Sequence, residues 1–548
     1  MKIAVAQVET LPKDIRANLE HILKMVREAK TAGADFFVLP YFALTGFYLG
    51  DEWITRSFDE EIGIAKDKIL EEAGDIKVIF ESFYGKVKDK IFRISYIDEN
   101  YRPKYKKADF YVFSEFKPFQ PDLFNERKAK LSSMAKIFEK PIVYINKISS
   151  ENYNKNIYAY TGRSAVFNPD GTLGLSLSDC GADMKIYDTD APSRVEYRES
   201  SEIGDIYSAV KIGIKYFMKT VGIERVVIGV SGGIDSAVSA ALYGSILPPG
   251  DILLVNMPSR YNSTATKNLA ETLAKNLGAN YAVCPIEESV NLTVKEINGT
   301  PITFIKDGEK YNLELSSLDA ENIQARDRGA RLLAALSSAF SHKNGERKAA
   351  AFTCNGNKTE CAAGYATLYG DSAGFLAAIA DLWKHQVYEL AYYLNREVYK
   401  REVIPQGIID IVPSAELSAA QNAEEGKGDP LFYPYHDYLF KAFVERTPKI
   451  SPEEILKWYK DNTLEEHIGC QKGLVGELFK TNAEFTEDLE RWWNQFQGLS
   501  VAKRIQSPPI IKLSRKSFGN DFMESQGKPF YSTGYYELKE KLLKTSVS

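Results

Sequence analysis

Apolar positions in the first 150 residues fall into short runs separated by helical patterns. Residues 3–8 (IAVAQV) read as a strand. Over residues 17–32, Leu19, Ile22, Leu23 and Val26 recur at the three- and four-residue spacing of one helix face. Gly33 ends that pattern. DFFVL at 35–39 has the length and composition of a buried strand. Segments 78–80, 110–113 and 142–146 repeat the signal, with a helix over 126–138. Such alternation predicts an α/β sandwich or layered sheet.

The stretch 179–205 is polar, contains Gly181 and Pro192, and has no clean period. It is the expected linker region, and the domains are set at 1–188 and 207–548 with residues 189–206 between them. A helix begins near Ile206. Strand 226–230 (VVIGV), helix 237–243, strand 252–257 and helix 266–277 follow. A βαβα series of this kind predicts a doubly wound parallel sheet of Rossmann-like type. No repeat of 20–50 residues and no low-complexity tract interrupts it.

Composition narrows the partners. The chain has 548 residues, 44% hydrophobic and 26% charged, enough for two soluble domains with large cores. Its net charge is −5, with no Lys/Arg block. That argues against nonspecific nucleic-acid or anionic-membrane binding. The five cysteines are odd in number and form no CxxC pair, which argues against a disulfide framework or zinc site. No run approaches the roughly 20 apolar residues of a membrane span, and the N-terminus does not read as a signal peptide. A reducing, cytoplasmic setting is expected. The five histidines, His21, His342, His385, His436 and His467, show no ligand or triad spacing and are expected at the surface or in packing.

The chemistry begins at SGGIDS, Ser231, Gly232, Gly233, Ile234, Asp235 and Ser236, directly after VVIGV and before a helical pattern. Two glycines permit a tight turn and close backbone approach. The loop amides and the helix N-terminus can hold an anion. Ser231 and Ser236 add hydroxyls, and the Asp235 carboxylate makes sense beside phosphate if a divalent metal bridges them. The plainer reading is a turn and helix cap; the strand–turn–helix context favours phosphate. The spacing is not GxxxxGK[ST], so it is no Walker-type site. The loop resembles the pyrophosphate-binding loop of the N-type ATP pyrophosphatases, which cleave ATP between its α and β phosphates and adenylate a substrate oxygen.

Later segments decide among the families with that loop. They are AENIQARDRGAR (320–331), NGNKTE (355–360), GYATLYGD (364–371), DLWKHQVYELA (381–391) and PSAEL from Pro413. In this order they resemble NAD synthetase, in particular the catalytic half of the bacterial glutamine-dependent type, over about residues 207–519. The resemblance implies that the SGGIDS loop, Asn355, Lys384 and Ser414 bind ATP, and that Asp235 and Glu360 hold Mg²⁺. It implies that Asn322 and Arg326 contact deamido-NAD. Tyr365, Ala366, Thr367, Leu368 and Asp371 would line that substrate's site, and Lys512 would close over it. Asn355 stands where the family often has Thr. Arg326 and Arg328 offer planar forks for phosphate, although with Arg331 they could equally form a solvated helix face.

The opening segment, KIAVAQVETLPKDI through VLPYFALTGF, resembles the nitrilase-like amidohydrolases over about residues 2–188. Larger NAD synthetases use such a domain to release ammonia from glutamine, with a Glu base, a Lys and a Cys nucleophile. Here Tyr41 stands at the Glu position. YIDENY (96–101) places Ile97 at the Cys position, and the stretch that should carry the Lys is largely deleted between Phe83 and Phe92. A thiolate mechanism needs the nucleophile and its partners. The domain is therefore expected to lack glutaminase activity, with Cys180 the one conceivable substitute. The implied enzyme uses ATP, deamido-NAD and ammonia and forms at least a homodimer. The alternatives are the same synthetase fed by a separate glutaminase, a non-catalytic dinucleotide scaffold, or an adenylating amidotransferase for another acid.

Overall fold

The computed structural model describes residues 1–80, 83–88, 90–196, 200–418 and 428–545. Residues 197–199 of the expected linker lie outside the described residues. The chain divides into two compact units, Met1–Val221 and Gly222–Ser548.

In the first unit, β1 (Lys2–Gln7), β2 (Phe36–Val38) and β3 (Lys77–Ile79) run parallel, and β12 (Asp183–Asp188) pairs antiparallel with β1. The second sheet has the order β11-β10-β7-β6-β5-β4. Its strands are β4 (Phe83–Val87), β5 (Lys90–Tyr96), β6 (Phe110–Ser114), β7 (Ile142–Ile145), β10 (Ala165–Phe167) and β11 (Leu173–Ser176). Between them, β8 (Ile148–Tyr153) and β9 (Asn156–Thr161) form an antiparallel hairpin.

Successive strand residues point to opposite faces, and the three-layer core follows from that. Ile3, Val5, Phe36 and Val38 meet Ile94, Phe110, Val112 and Val143 between the sheets. The alternate residues Ala4, Ala6 and Phe37 face Ile22 and Val26 of α1 (Ile15–Thr31) and Ile69 of α2 (Arg56–Ala73). On the far side, Tyr111, Phe113 and Tyr144 pack under Leu131 and Ala135 of α3 (Leu123–Phe138). The unit is therefore an α/β sandwich. Helix α4 (Glu202–Val221) packs on β8 and β9. Residues 207–221, read from sequence as the head of the second domain, thus lie in α4 and pack in the first unit.

The second unit is built on a parallel sheet of order β15-β14-β13-β18. Its strands are β13 (Arg225–Gly229), β14 (Ile252–Asn256), β15 (Asn280–Val283) and β18 (Ala350–Phe352). An exposed hairpin, β16 (Pro301–Phe304) with β17 (Glu309–Asn312), stands outside it. The helices that accompany the sheet are α5 (Ile234–Gly244), α6 (Thr264–Leu277), α7 (Glu287–Gly299), α8 (Ser317–Arg326) and α9 (Ala334–Phe340). After β18 come α10 (Lys358–Ala363), α11 (Lys384–Tyr393) and α12 (Gln406–Asp410). A helical layer closes the chain: α13 (Tyr433–Glu445), α14 (Pro452–Lys460), α15 (Leu464–Ile468), α16 (Leu474–Leu478), α17 (Asn482–Gln497), α18 (Leu499–Gln506) and α19 (Thr533–Thr545). Tyr435, Phe440, Phe443, Trp492 and Phe496 form its aromatic core.

Strand order reverses direction at β13: the chain moves out through β14 and β15, then returns to place β18 on the other side. In doubly wound sheets the crevice at the carboxyl ends of such strands is where ligands bind. Here those ends deliver residues 230–236 and 353–360.

Candidate active site

A cavity of about 800 Å³ opens at that switch point. On one wall is the SGGIDS loop. Gly232 has φ +90°, and a Cβ there would lie 2.2 Å from the Thr266 carbonyl oxygen, so the position requires glycine. Gly233 N–H donates to Ser231 Oγ at 3.2 Å, and Ser236 Oγ donates to the Gly233 carbonyl at 3.1 Å. No side chain caps α5, so its first-turn amides are left to face the cavity. Ser231, Gly233, Asp235 and Ser236 line the space, with Gly232 behind them.

Charge concentrates beside this loop. Asp235 sits in the first turn of α5, Glu360 at the third position of α10, and Lys384 at the start of α11. The Lys384 ammonium is buried, pairs with Asp235 Oδ2, and lies 3.5 Å from Glu360 Oε1. Asn357 Nδ2 donates to Asp235 Oδ1 at 2.9 Å and to Glu360 Oε1 at 2.8 Å, holding the two carboxylates together. Burial, reinforced by the Asp235 charge, pushes the Glu360 carboxyl up to about 8. Burial works against the charge on Lys384, but Asp235 and Glu360 outweigh it and hold the lysine protonated well above its ordinary range.

This donor set suits a magnesium–phosphate pair. Mg²⁺ is usually bound by one or two carboxylates plus substrate phosphates rather than by an all-protein cage. Among the described residues no group of three or more His, Cys, Asp or Glu side chains forms such a cage. Asp235 and Glu360 supply two, crowded enough that a divalent cation would relieve their repulsion.

The far end of the cavity is polar. Thr367 Oγ1 donates to Asn322 Oδ1 at 2.8 Å, Arg326 Nε to the Leu368 carbonyl at 3.2 Å, and Thr367 N–H to Asp371 Oδ1 at 2.6 Å. Tyr365, Ala366 and Ser414 also line it. Asn355 and Lys512, also named from sequence, do not. Asn355 bridges the strand ends instead, donating to the Gly229 carbonyl at 3.1 Å and accepting from Thr353 Oγ1 at 2.9 Å. Lys512 is buried, 3.0 Å from Asp521 Oδ2 and 2.9 Å from the Ser514 carbonyl. Arg328 donates to the Met257 carbonyl at 3.0 Å, and exposed Arg331 pairs with Asp327, so Arg326 alone of the three arginines lines the cavity.

The cavity also holds groups that sequence reading passed over: Asp429, Lys503 and Arg491. Asp429 accepts from Tyr433 Oη at 2.7 Å and from Ala415 N–H at 3.1 Å, and burial pushes its carboxyl up. It follows a polar stretch without period, and Lys503 and Arg491 lie on amphipathic helices where a charge reads as solvated face. Asn357 was visible inside NGNKTE.

In the first unit, the two positions that the sequence resemblance assigned to amidase chemistry, Tyr41 and Ile97, are aromatic and aliphatic. The Tyr41 ring stacks on Tyr96 with centroids 4.9 Å apart and planes at 20°. Thus the turn after β2 and the end of β5 do meet. Ile97, one residue on, is 3% exposed and faces the opposite layer, among Tyr111, Phe113 and Leu131. A cavity of about 230 Å³ beside Tyr41 is walled by Phe42, Trp53 and Phe80, with Lys66 the one charged group among its lining residues. Cys180 is partly buried and burial pushes its thiol up. Of the histidines, His436 is buried against Asp488 at 3.1 Å and His467 stacks on Trp458. His385 pairs with Asp437.

Fold and site together define an α/β protein with two units. A glycine loop, two carboxylates and a buried lysine sit at the switch point of its doubly wound sheet. Residues 206–468 match the family model of NAD synthase. The chain is 29% identical over 416 residues to the glutamine-dependent NAD(+) synthetase of Synechocystis sp., covering 74% of this chain and 64% of that protein. Matches to the four relatives at 29–32% identity span about half to two thirds of their lengths, 46% to 64%. Two solved structures share the fold over nearly the whole chain. A glutamine-dependent NAD(+) synthetase of Cytophaga hutchinsonii superposes with TM-score 0.72 at 16% identity, covering 99% of each chain. That of Acinetobacter baumannii, solved with ADP, gives 0.63 at 21% identity over 95% of this chain and 98% of its own. Among the described residues no helix is long and apolar enough to cross a membrane.

Proposed function

We propose that this chain is an ATP-dependent amide-forming ligase that converts deamido-NAD to NAD with ammonia, and that its first unit no longer releases ammonia from glutamine. The observation that carries the first part is the cluster of Lys384, Asp235 and Glu360 beside the SGGIDS loop. The family match over residues 206–468 and the ADP bound to a protein of the same fold support it.

In this reading the nicotinate carboxylate attacks the α-phosphorus of ATP, and the bond to pyrophosphate breaks. The loop amides with Ser231 and Ser236 receive the departing pyrophosphate, and the Lys384 ammonium neutralises charge that grows on it. Mg²⁺ held by Asp235 and Glu360 would add further neutralisation of the phosphates. Asn322, Arg326 and residues 365–371 hold the dinucleotide at the other end of the cavity, so that its carboxylate and the α-phosphorus meet in line. Ammonia then adds to the acyl adenylate; AMP leaves with the carbon–oxygen bonding pair, and one proton goes to solvent. No side-chain nucleophile is required.

The second part rests on Tyr41, Tyr96 and Ile97. The relatives are named glutamine-dependent, but hydrolysis of an amide by that fold's chemistry needs a base and a thiolate. A turnover assay with ATP, Mg²⁺ and deamido-NAD, run with ammonium and with glutamine, tests both parts. NAD, AMP and pyrophosphate should form with ammonium and not with glutamine. ADP with orthophosphate would refute the ligase reading, and equal rates from glutamine would refute the loss of glutaminase.

We further propose a homodimer or larger assembly. Phe304, Ile305 and Tyr311 on the β16–β17 hairpin are 49%, 89% and 51% exposed, which favours a covered surface. Light scattering at micromolar concentration should give at least twice the chain mass of 61.6 kDa; a species of that mass alone would reject it.

A further inference from the structure

Behind the charged cluster lies a buried polar chain that the reaction as described does not use. Lys384 N–H donates to Thr359 Oγ1 at 3.2 Å. Thr359 Oγ1 in turn donates to Asp437 Oδ1. The other carboxylate oxygen, Asp437 Oδ2, accepts from His385 N–H at 2.9 Å and lies 2.8 Å from His385 Nδ1. Thr359 and Asp437 are both 0% exposed. The His385 ring stacks on Tyr438, with centroids 5.3 Å apart and planes at 9°. One carboxylate on α13 therefore fastens the residue preceding Glu360 to the residue following Lys384.

A buried carboxylate is expensive to desolvate and is kept only where its hydrogen bonds are satisfied. Capping of two helix starts alone needs only a Ser, Thr or Asn side chain and no buried charge, as Asn357 already provides for α10. What Asp437 adds is a fixed distance between those two starts. Glu360 and Lys384 project from them toward the same space, 3.5 Å apart. A lysine displaced by one ångström would leave the cluster of carboxylates under-neutralised and the phosphate without its cation.

We propose that Thr359, Asp437 and His385 form a positioning network that sets the separation of Glu360 and Lys384 across the phosphate site. It rests on the ligase reading of that site and adds residues outside the cavity to it. Supporting groups of this kind usually change metal affinity or activity by about 10- to 100-fold when removed.

The test uses the full chain and four variants: Thr359→Val, Thr359→Ser, Asp437→Asn and His385→Ala. Calorimetric binding of ATP with Mg²⁺ is measured beside the melting temperature and ammonium-dependent turnover. Thr359→Val keeps the shape and removes the hydroxyl, so Mg²⁺–ATP binding should weaken about tenfold or more. Thr359→Ser should restore it, and Asp437→Asn should follow Thr359→Val. His385→Ala should weaken binding less, since the His385 amide bond remains. In Thr359→Val, Asp437→Asn and His385→Ala kcat should fall, while in Thr359→Ser it should not; the KM for deamido-NAD stays near the parent value in all four, because the far end of the cavity is untouched. Unchanged Mg²⁺–ATP binding in Thr359→Val overturns the network, as does equal loss in Thr359→Ser and Thr359→Val. If Asp437→Asn fails to fold, the Thr359 pair alone decides. Absence of Mg²⁺–ATP binding by the parent chain would instead remove the ligase reading itself.

Discussion

Each unit brings a turn beside a strand end, and the two differ in what they place there. At the ends of β13 and β18, the second unit assembles Asp235, Glu360 and Lys384 with Asn357 holding the carboxylates. At the ends of β2 and β5, the first unit stacks Tyr41 on Tyr96 and turns Ile97 into the layer under α3. Both arrangements are well packed. Packing needs only apolar area and shape, whereas chemistry needs particular donors at particular atoms. A scaffold can therefore stay folded whatever side chains stand at its strand ends, stabilised by its buried strands. The charged site has no such latitude, because each buried charge depends on its neighbour.

The largest expected effect comes from breaking the charged site. Asp235→Ala leaves Lys384 without its closest counter-ion, and Lys384→Met leaves two crowded carboxylates. Each should lower ammonium-dependent NAD formation by about 10²–10³, the usual loss when one charge-stabilising contact is removed. Steady-state rates at saturating ATP check this, with circular dichroism to confirm folding. A rate within a factor of three of the parent would show that the cluster does not face the reacting phosphates.

A smaller effect is expected from an uncharged position of the same loop. Gly232→Ala must fit a Cβ 2.2 Å from the Thr266 carbonyl at φ +90°. Backbone strain at such positions costs about 1–3 kcal/mol. The loop should relieve it by moving away from α6, so ATP binding should weaken by roughly tenfold to a hundredfold, with a modest drop in melting temperature. Wild-type affinity in this variant would mean that the loop does not cradle phosphate through its backbone.

Sequence patterns located β1, β2, β3, β6, β7, β13 and β14 to within a residue or two, as with 3–8 against Lys2–Gln7 and 226–230 against Arg225–Gly229, and gave no sign of β4, β5, β10, β11, β12, β15 or β18. The located strands are buried on both faces, so their apolar runs are unambiguous. The hairpin of β8 and β9 was not legible. Neither was α2, since Ile62, Ala65 and Ile69 are diluted among exposed charges. The same physics governed the site. SGGIDS, Glu360 and Lys384 stand in short segments next to strand ends or helix starts, where local geometry limits where they can point. Asp429, Lys503 and Arg491 reach the cavity only through tertiary packing of the helical layer, which no local pattern encodes. Asn355 shows the converse: its segment is at the site, but its amide turns back to Gly229 and Thr353. Linear proximity placed it near the phosphates without specifying its direction.

The smallest effect is expected at Cys180, and it tests whether the first unit has moved its nucleophile rather than lost it. An amidase cysteine works as thiolate, which requires a depressed pKa from a nearby cation or helix start. Burial here works the other way and holds the Cys180 thiol above its ordinary value near 9. Raising a thiol's pKa disfavours the charged form, so the thiolate fraction at pH 7.5 is lower than for a free cysteine and grows only as pH rises past the usual thiol range. Iodoacetamide at pH 7.5 should therefore label Cys180 slowly, with a rate that climbs through pH 9 and above, as read by mass spectrometry of the Cys180 peptide. Cys180→Ala should leave ammonium-dependent turnover unchanged. Rapid stoichiometric labelling at neutral pH, together with glutamate release that Cys180→Ala abolishes, would put a working nucleophile in the first unit and erase the contrast between the two units.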